Sequence, residues 1–165
     1  MAREYPHDIE AERSLLGSML ISIDACHEIL SLATKEDFYL DSHRILFDAM
    51  QSIDHQNNPV DVTTLTSYLM DKKLLDKIGG VEYLLQLSES VPTTAHSQYY
   101  LKILNEKSLL RKLIQQSTQI IENAYGEVEN INDFIGESEK NFLSVTRDRN
   151  AGEFKDVKTV IQNVT

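Results

Sequence analysis

Cysteine, tryptophan, proline and glycine are scarce in this sequence, and each shortage narrows what the protein can be. Cys26 is the only cysteine among 165 residues, so the chain has no internal disulfide and an intracellular setting is expected. Tryptophan is absent, and three prolines and six glycines leave long stretches uninterrupted. With 41% hydrophobic and 25% charged residues, the composition is typical of a soluble globular protein.

Positive charge is also in short supply. Lysine and arginine total 16 against 26 aspartates and glutamates, which gives a formal net charge of −10. A domain that holds nucleic acid through its overall field needs a basic face, and here the basic residues are scattered. We therefore expect little direct nucleic-acid binding, and partners that are proteins.

Targeting and membrane signals are missing as well. The first residues do not form a basic start followed by an apolar run, so no signal peptide is predicted. No stretch approaches the roughly 20 apolar residues of a membrane helix, so no membrane partner is expected. These features predict a cytoplasmic location.

The sequence has no phosphate-binding loop, so we expect no catalytic, cofactor-binding or metal-binding residue in this segment. Gly79-Gly80 lacks the lysine and the hydroxyl that hold nucleotide phosphates, and is interpreted as a turn. His43 follows Asp37 and Asp41, and a small hydrolase using these groups is one alternative. That alternative requires a bound metal ion, whereas we expect only a local hydrogen bond of His43 near a helix start.

Apolar residues recur at helical spacing through residues 1–92, which predicts an all-α head of five helices. Candidate N-caps precede four of these helices, at Asp8, Asp24, Ser42 and Asp61. No segment alternates apolar and polar residues between turn signals, so no sheet is predicted.

Residues 93–147 predict a long antiparallel helical hairpin belonging to the same domain. Neither proline nor glycine interrupts residues 95–124, and the chain restarts at Asn130 or Asn132 after Gly126. Such a hairpin carries apolar surface that it cannot bury alone, which indicates self-association. The candidate residues for that contact are Leu110, Leu113, Ile114, Ile121, Phe134 and Phe142.

Residues 148–165 are interpreted as a polar linker followed by the start of a further amphipathic helix. Its apolar residues lie at offsets of three, four and seven, so they share one helix face. We expect this face to dock on a partner, through Val157, Val160, Ile161 and Val164.

A series of short segments, in order, resembles the N-terminal domain of bacterial DnaB-type replicative DNA helicases. The resemblance covers nearly the whole chain, although each segment alone is weak. The matching residues are Pro6, Ile9-Glu10-Ala11-Glu12, Leu15-Leu16-Gly17, Glu36-Asp37-Phe38-Tyr39, His43, Phe47, Pro59-Val60-Asp61, Ile78-Gly79-Gly80, Tyr83-Leu84, Val91-Pro92, Tyr99-Tyr100, Arg111, Glu139 and Phe154.

The resemblance implies a collar over a hexameric motor, built as a trimer of dimers through the hairpins. It also implies docking of primase and a helicase loader, and packing of the linker helix on a neighbouring subunit's motor domain. In such helicases the motor, which uses ATP and magnesium to unwind DNA in the 5′–3′ direction, is a separate domain not contained in this sequence. The resemblance places the protein in the bacterial cytoplasm, associated with the nucleoid at the replication fork. A free-standing helical adaptor of the replication machinery is the other alternative.

Overall fold

The computed structural model describes residues 3–145 and 147, and every regular element among them is helical. The predicted all-α class is confirmed, with a compact head followed by a long helical hairpin. Residues 148–165, and with them the predicted linker and linker helix, lie outside the described residues. The α-helices are α1 (Ile9–Ile21), α2 (Ile23–Leu32), α3 (Asp41–His55), α4 (Val62–Asp71), α5 (Gly80–Glu89), α6 (Ser97–Tyr125) and α7 (residues 131–145), and two short 3-10 helices lie at Lys35–Asp37 and Asp76–Ile78.

Side-chain caps begin several of these helices, as the sequence predicted in two cases. Asp8 accepts a hydrogen bond from the Ala11 amide at 3.0 Å, and Asp61 accepts one from the Thr64 amide at 2.8 Å. Both bonds satisfy amides that the first helical turn leaves without a partner.

Two predicted caps are wrong. Ser22, not Asp24, caps α2, because Ser22 adopts the extended backbone of a cap and its hydroxyl accepts from the Ala25 amide at 3.2 Å. Helix α3 begins at Asp41, so Ser42 lies inside it, and the preceding Leu40 makes no side-chain cap. A local contact lies beside this start, since Nε of Arg44 donates to the Phe38 carbonyl at 2.8 Å.

The chain divides into two compact units, Met1–Ser108 and Leu109–Thr165, and α6 runs through the division. The first unit is built around α1, which packs against α2, α3 and α5. Its largest fully buried side chains are Phe38, Phe47, Leu15, Leu16, Met19, Ile29, Leu46, Met50, Leu65, Leu69, Leu84 and Leu87. The predicted boundary between residues 92 and 93 stays a prediction.

Helices α1 and α5 approach unusually closely at Gly17. A β-carbon placed there would lie 2.4 Å from the Leu87 carbonyl oxygen and 2.5 Å from Cγ2 of Val91. Only glycine permits this approach, because any side chain would enter the backbone of α5.

The second unit is the hairpin, in which residues 126–130 connect the end of α6 to α7. Oδ1 of Asn130 accepts hydrogen bonds from the amides of Asn132 and Asp133, at 3.0 and 3.1 Å. The return helix is therefore capped by Asn130, the first of the two asparagines predicted for that position.

Candidate interaction surfaces

The hairpin leaves large apolar side chains exposed on both of its helices. Ile121 on α6 is 57% exposed and Phe142 on α7 is 48% exposed, although both are large and apolar. Exposed apolar surface of this kind marks a site of association. The exposed apolar side chains of the unit are Leu110, Ile114, Ile121, Tyr125, Ile131, Ile135, Phe142 and Leu143.

We call these eight exposed apolar residues together the hairpin face. It includes four of the six residues predicted for self-association. Leu110, Ile114, Ile121 and Phe142 are exposed, while Leu113 and Phe134 are half-buried. Contact with a second chain stays a prediction for all six. The four residues predicted for linker-helix docking, from Val157 to Val164, lie outside the described residues.

Charge is unevenly distributed along the hairpin. Carboxylates are concentrated near the connection between the two helices. We call this set the acidic tip: Glu122, Glu127, Glu129, Asp133 and Glu137. Towards the other end the charges are mixed, with Lys112, Lys140 and Arg147 beside Glu139. Between residues 113 and 121, α6 carries no charged side chain at all.

The acidic tip borders an open cleft of about 530 Å³ between the end of α6 and the start of α7. Val128 and Phe134 supply its apolar lining, and both are half-buried. No described lysine, arginine or histidine lies within 4 Å of the tip carboxylates. The tip is therefore a concentrated negative end of the hairpin.

Inside the head, a chain of polar side chains links three helices. Nδ1 of His43 lies 2.8 Å from Oε1 of Glu12, and Nε2 lies 2.5 Å from the Tyr83 hydroxyl. Oε2 of Glu12 accepts a further bond from the Tyr39 amide at 2.9 Å. Because a carboxylate only accepts, Nδ1 of His43 donates to Glu12. A hydrogen bond from Arg13 to Tyr83 raises the pKa of the Arg13 guanidinium.

This network corrects the prediction made for His43. Its partners are not local, since they lie on α1 and α5 and not near the start of α3. Glu12 was missed as a partner, yet the sequence held a signal for it. It precedes Leu15, Leu16 and Met19 by three, four and seven residues, so it shares their buried helix face.

Asp37 forms a second buried polar contact of the head. Its Oδ1 accepts from the Ser108 hydroxyl at 2.7 Å, and its Oδ2 accepts from the Thr34 amide at 2.8 Å. Asp37 therefore ties the 3-10 helix at Lys35–Asp37 to α6, rather than contributing to a site with His43.

Cys26 is buried in the head beside α3. Burial, followed by the negative charge of Asp54, raises the pKa of its thiol to about 11. A thiol is a poor nucleophile when protonated, so Cys26 is a packing residue in the folded state. The neighbouring His27 is exposed, and its Nε2 lies 3.0 Å from Oδ1 of Asp54, which joins α2 to α3.

Among the described residues no group of three or more histidines, cysteines or carboxylates could hold a metal ion. The polar contacts of the head are thus explained by packing of helices, and the surface best suited to a partner is the hairpin face.

Residues 4–106 match the model of the DnaB-like helicase N-terminal domain. The chain belongs to this family. The predicted resemblance is confirmed, and the match covers the head and the beginning of α6.

Curated relatives extend the similarity beyond the head. The chain is 36% identical to the replicative DNA helicase DnaC of Bacillus subtilis over 156 residues, covering 94% of the chain and 34% of the relative. It is 35% identical over 156 residues to the replicative DNA helicase DnaB of Geobacillus stearothermophilus, with the same coverage of 94% and 34%. The chain therefore spans about a third of the length of these relatives.

Solved structures agree with the fold. The crystal structure of the N-terminal domain of DnaB helicase from Mycobacterium tuberculosis is similar with a TM-score of 0.81 and 33% identity, covering 86% of this chain and 99% of that one. A structure of a DnaB-like replicative helicase and its interactions with primase has a TM-score of 0.71 and 27% identity. It covers 84% of this chain and 31% of that one.

Proposed function

We propose that this chain is the N-terminal collar domain of a hexameric replicative DNA helicase, and that it mediates self-association and partner docking. The observation that carries the proposal is the exposed hairpin face, in a chain whose family is that of DnaB-like helicase N-terminal domains. Burying a large apolar side chain stabilises an assembly by about 1.5–3 kcal/mol, so a few such residues support a dimer. Trimers of these dimers form the hexameric collar.

Primase is the proposed external partner. A related structure with 27% identity is described as that of a DnaB-like replicative helicase with its interactions with primase. We extend that interaction to this chain, together with docking of a helicase loader and little direct binding of nucleic acid. The net charge of −10 supports protein partners over DNA.

Catalysis is assigned to the motor of the full-length helicase. That motor uses ATP and magnesium to unwind DNA in the 5′–3′ direction, in the bacterial cytoplasm at the replication fork. This chain is proposed to contribute no catalytic residue and no cofactor. Residues 157–164 form the proposed contact with the neighbouring subunit's motor domain.

Sedimentation velocity on matched variants of the whole chain tests the self-association. Ile121→Asp places a charge on the hairpin face, whereas Thr118→Asp places the same charge on an exposed polar position of α6. Ile121→Asp should shift the chain towards the monomer, and Thr118→Asp should leave its association unchanged. If both variants associate as strongly as the parent chain, the hairpin face is not the interface.

Titration of each variant with purified primase from the same cell tests the docking. The parent chain should bind primase if it is the collar domain of the helicase. Failure of the parent chain to bind primase would overturn this part of the proposal while leaving self-association in place.

A further inference from the structure

We propose that the turn after α4 is a docking surface for an acidic segment of a partner protein. We call this surface the basic corner, and its residues are Met70, Lys72, Lys73 and Lys77. All four side chains are exposed, and all four lie in the first compact unit. The basic corner therefore adds to the hairpin face a second interaction surface, on a different unit of the chain.

The backbone of Lys73 adopts a conformation that is usually occupied by glycine. Its φ is 58°, in the left-handed region. The Lys73 amide donates to the Met70 carbonyl at 3.0 Å, which is one bond of a Schellman ending. The second bond joins the Leu74 amide to the Leu69 carbonyl at 2.8 Å. Glycine is the usual residue at the position of Lys73 in such an ending, because a β-carbon is strained there.

The end of α3 has the same backbone but a residue that suits it. Asn57 has a φ of 59°, and the Asn58 amide donates to the Ile53 carbonyl at 3.2 Å. Asparagine tolerates this conformation because its short polar side chain can bond to the nearby backbone. A lysine side chain does not have that short polar group. We therefore attribute the lysine at position 73 to a contact made by its ammonium group in solvent.

The basic corner gathers exposed positive charge in a strongly acidic chain. Residues 71–77 contain three lysines and two aspartates, whereas the whole chain has a net charge of −10. Another close group of cations, at Lys107, Arg111 and Lys112, is half-buried or buried. In the described part of the chain, no ion pair includes a lysine of the basic corner. These three ammonium groups can therefore pair with carboxylates of a partner.

An exposed apolar side chain lies beside these charges. Met70 is 61% exposed, and methionine adapts its shape to different apolar partners. Leu74 and Leu75 pack against the core, which fixes the turn to the head. Nζ of Lys72 lies 5.8 Å from the centre of the Tyr68 ring, and this contact favours one position of the ammonium group. The basic corner thus offers one apolar contact next to three cations.

An acidic peptide fits this arrangement better than a nucleic acid does. Three lysines neutralise few phosphates, and the affinity for a phosphate backbone depends on the number that is neutralised. Single-stranded nucleic acid also uses exposed aromatic rings to stack its bases, but Tyr68 is half-buried and contacts Lys72. A segment with carboxylates around a leucine would pair with the lysines and place its apolar group on Met70.

Fluorescence anisotropy on the whole chain tests the docking surface. The probe is a dye-labelled peptide of glutamates interrupted by leucines, and the control peptide has glutamine in place of each glutamate. The parent chain should bind the acidic peptide more tightly than the control peptide. The Kd for the acidic peptide should rise with sodium chloride, because salt screens exposed charges.

Replacement of the lysines tests which residues bind the peptide. Lys72→Gln, Lys73→Gln and Lys77→Gln in one chain should raise the Kd for the acidic peptide about tenfold, since three exposed ion pairs are lost. Lys102→Gln removes one exposed lysine of α6 and should leave the Kd unchanged.

Glycine at position 73 separates the backbone from the side chain. Lys73→Gly relieves the positive φ and should raise the Tm, while it raises the Kd for the acidic peptide. Lys72→Gly is the matched control, because Lys72 has an ordinary φ of −86°. This control should lower the Tm, since glycine there gains nothing from a left-handed backbone.

Several results would overturn the proposal. One is equal binding of the acidic and control peptides by the parent chain. Another is an unchanged Kd after replacement of all three lysines. Tighter binding of a thymidine oligonucleotide than of the acidic peptide would make the basic corner a nucleic-acid contact instead. A Tm of Lys73→Gly below that of the parent chain would also contradict the proposal, because stability alone would then explain the lysine.

Discussion

The imidazole of His43 lies against the carboxylate of Glu12, with Nδ1 2.8 Å from Oε1, and neither side chain reaches solvent. The contact joins α3 to α1, and Tyr83 extends it to α5. Buried groups of this kind stabilise a fold only while each one has its partners. Glu12 is the centre of the network because it also satisfies the Tyr39 amide.

Replacing Glu12 should therefore destabilise the head. Glu12→Ala leaves the His43 ring and the Tyr39 amide without acceptors, and should lower the free energy of unfolding by about 3 kcal/mol. Glu10→Ala, two residues earlier at an exposed position of α1, should change it by less than about 0.5 kcal/mol. Urea unfolding, monitored by circular dichroism, measures the free energy of unfolding of both variants. Equal effects would mean that the buried network does not stabilise the head.

A pair of glycine substitutions separates close packing from helix propensity. Gly17→Ala should lower stability by about 1–3 kcal/mol, because its β-carbon would meet the Leu87 carbonyl and Val91 at α5. Gly136→Ala lies in α7, where a β-carbon meets nothing within 4 Å. It should raise stability by up to about 1 kcal/mol. Thermal unfolding measures the Tm of both variants. If both substitutions shift the Tm in the same direction, the close contact at Gly17 does not explain the result.

The Cys26 thiol predicts a loss of stability at alkaline pH. Its pKa in the folded chain is about 11, whereas in the unfolded chain it lies near 8.5. Between these values the unfolded state loses a proton that the folded state retains, so stability falls as pH rises. The fall amounts to about 3 kcal/mol across this interval, and below it the contribution is fully present.

Comparison with Cys26→Ala isolates this effect from the titration of lysines and tyrosines. The difference in unfolding free energy between the two chains should shrink from pH 8.5 to pH 11. A difference that is independent of pH would show that burial does not hold the thiol protonated.

Local signals in the sequence were sufficient for most of the fold. Asp8 and Asp61 begin helices in the structure because their caps depend on neighbouring residues only. The Ser42 prediction was wrong because α3 begins one residue earlier, at Asp41, without a side-chain cap. The His43 prediction failed for a different reason, since its partners lie 31 and 40 residues away in the sequence.

The hairpin face was predicted in part. Helical spacing placed Ile114, Ile121 and Phe142 on apolar stripes, and all three are exposed. The same spacing could not separate them from Leu113 and Phe134, which are half-buried. The residues buried between α6 and α7 are determined by how the two helices pack. The spacing of apolar residues in the sequence does not specify this packing.

Static light scattering of the whole chain over a wide range of concentration tests the central claim most directly. A chain of 18.8 kDa that associates through its hairpin should show an apparent molar mass that rises with concentration to at least twice that value. Ile121→Asp should flatten the curve towards the monomer. An apparent mass that stays at 18.8 kDa at every concentration would contradict the account of this chain as an assembly module.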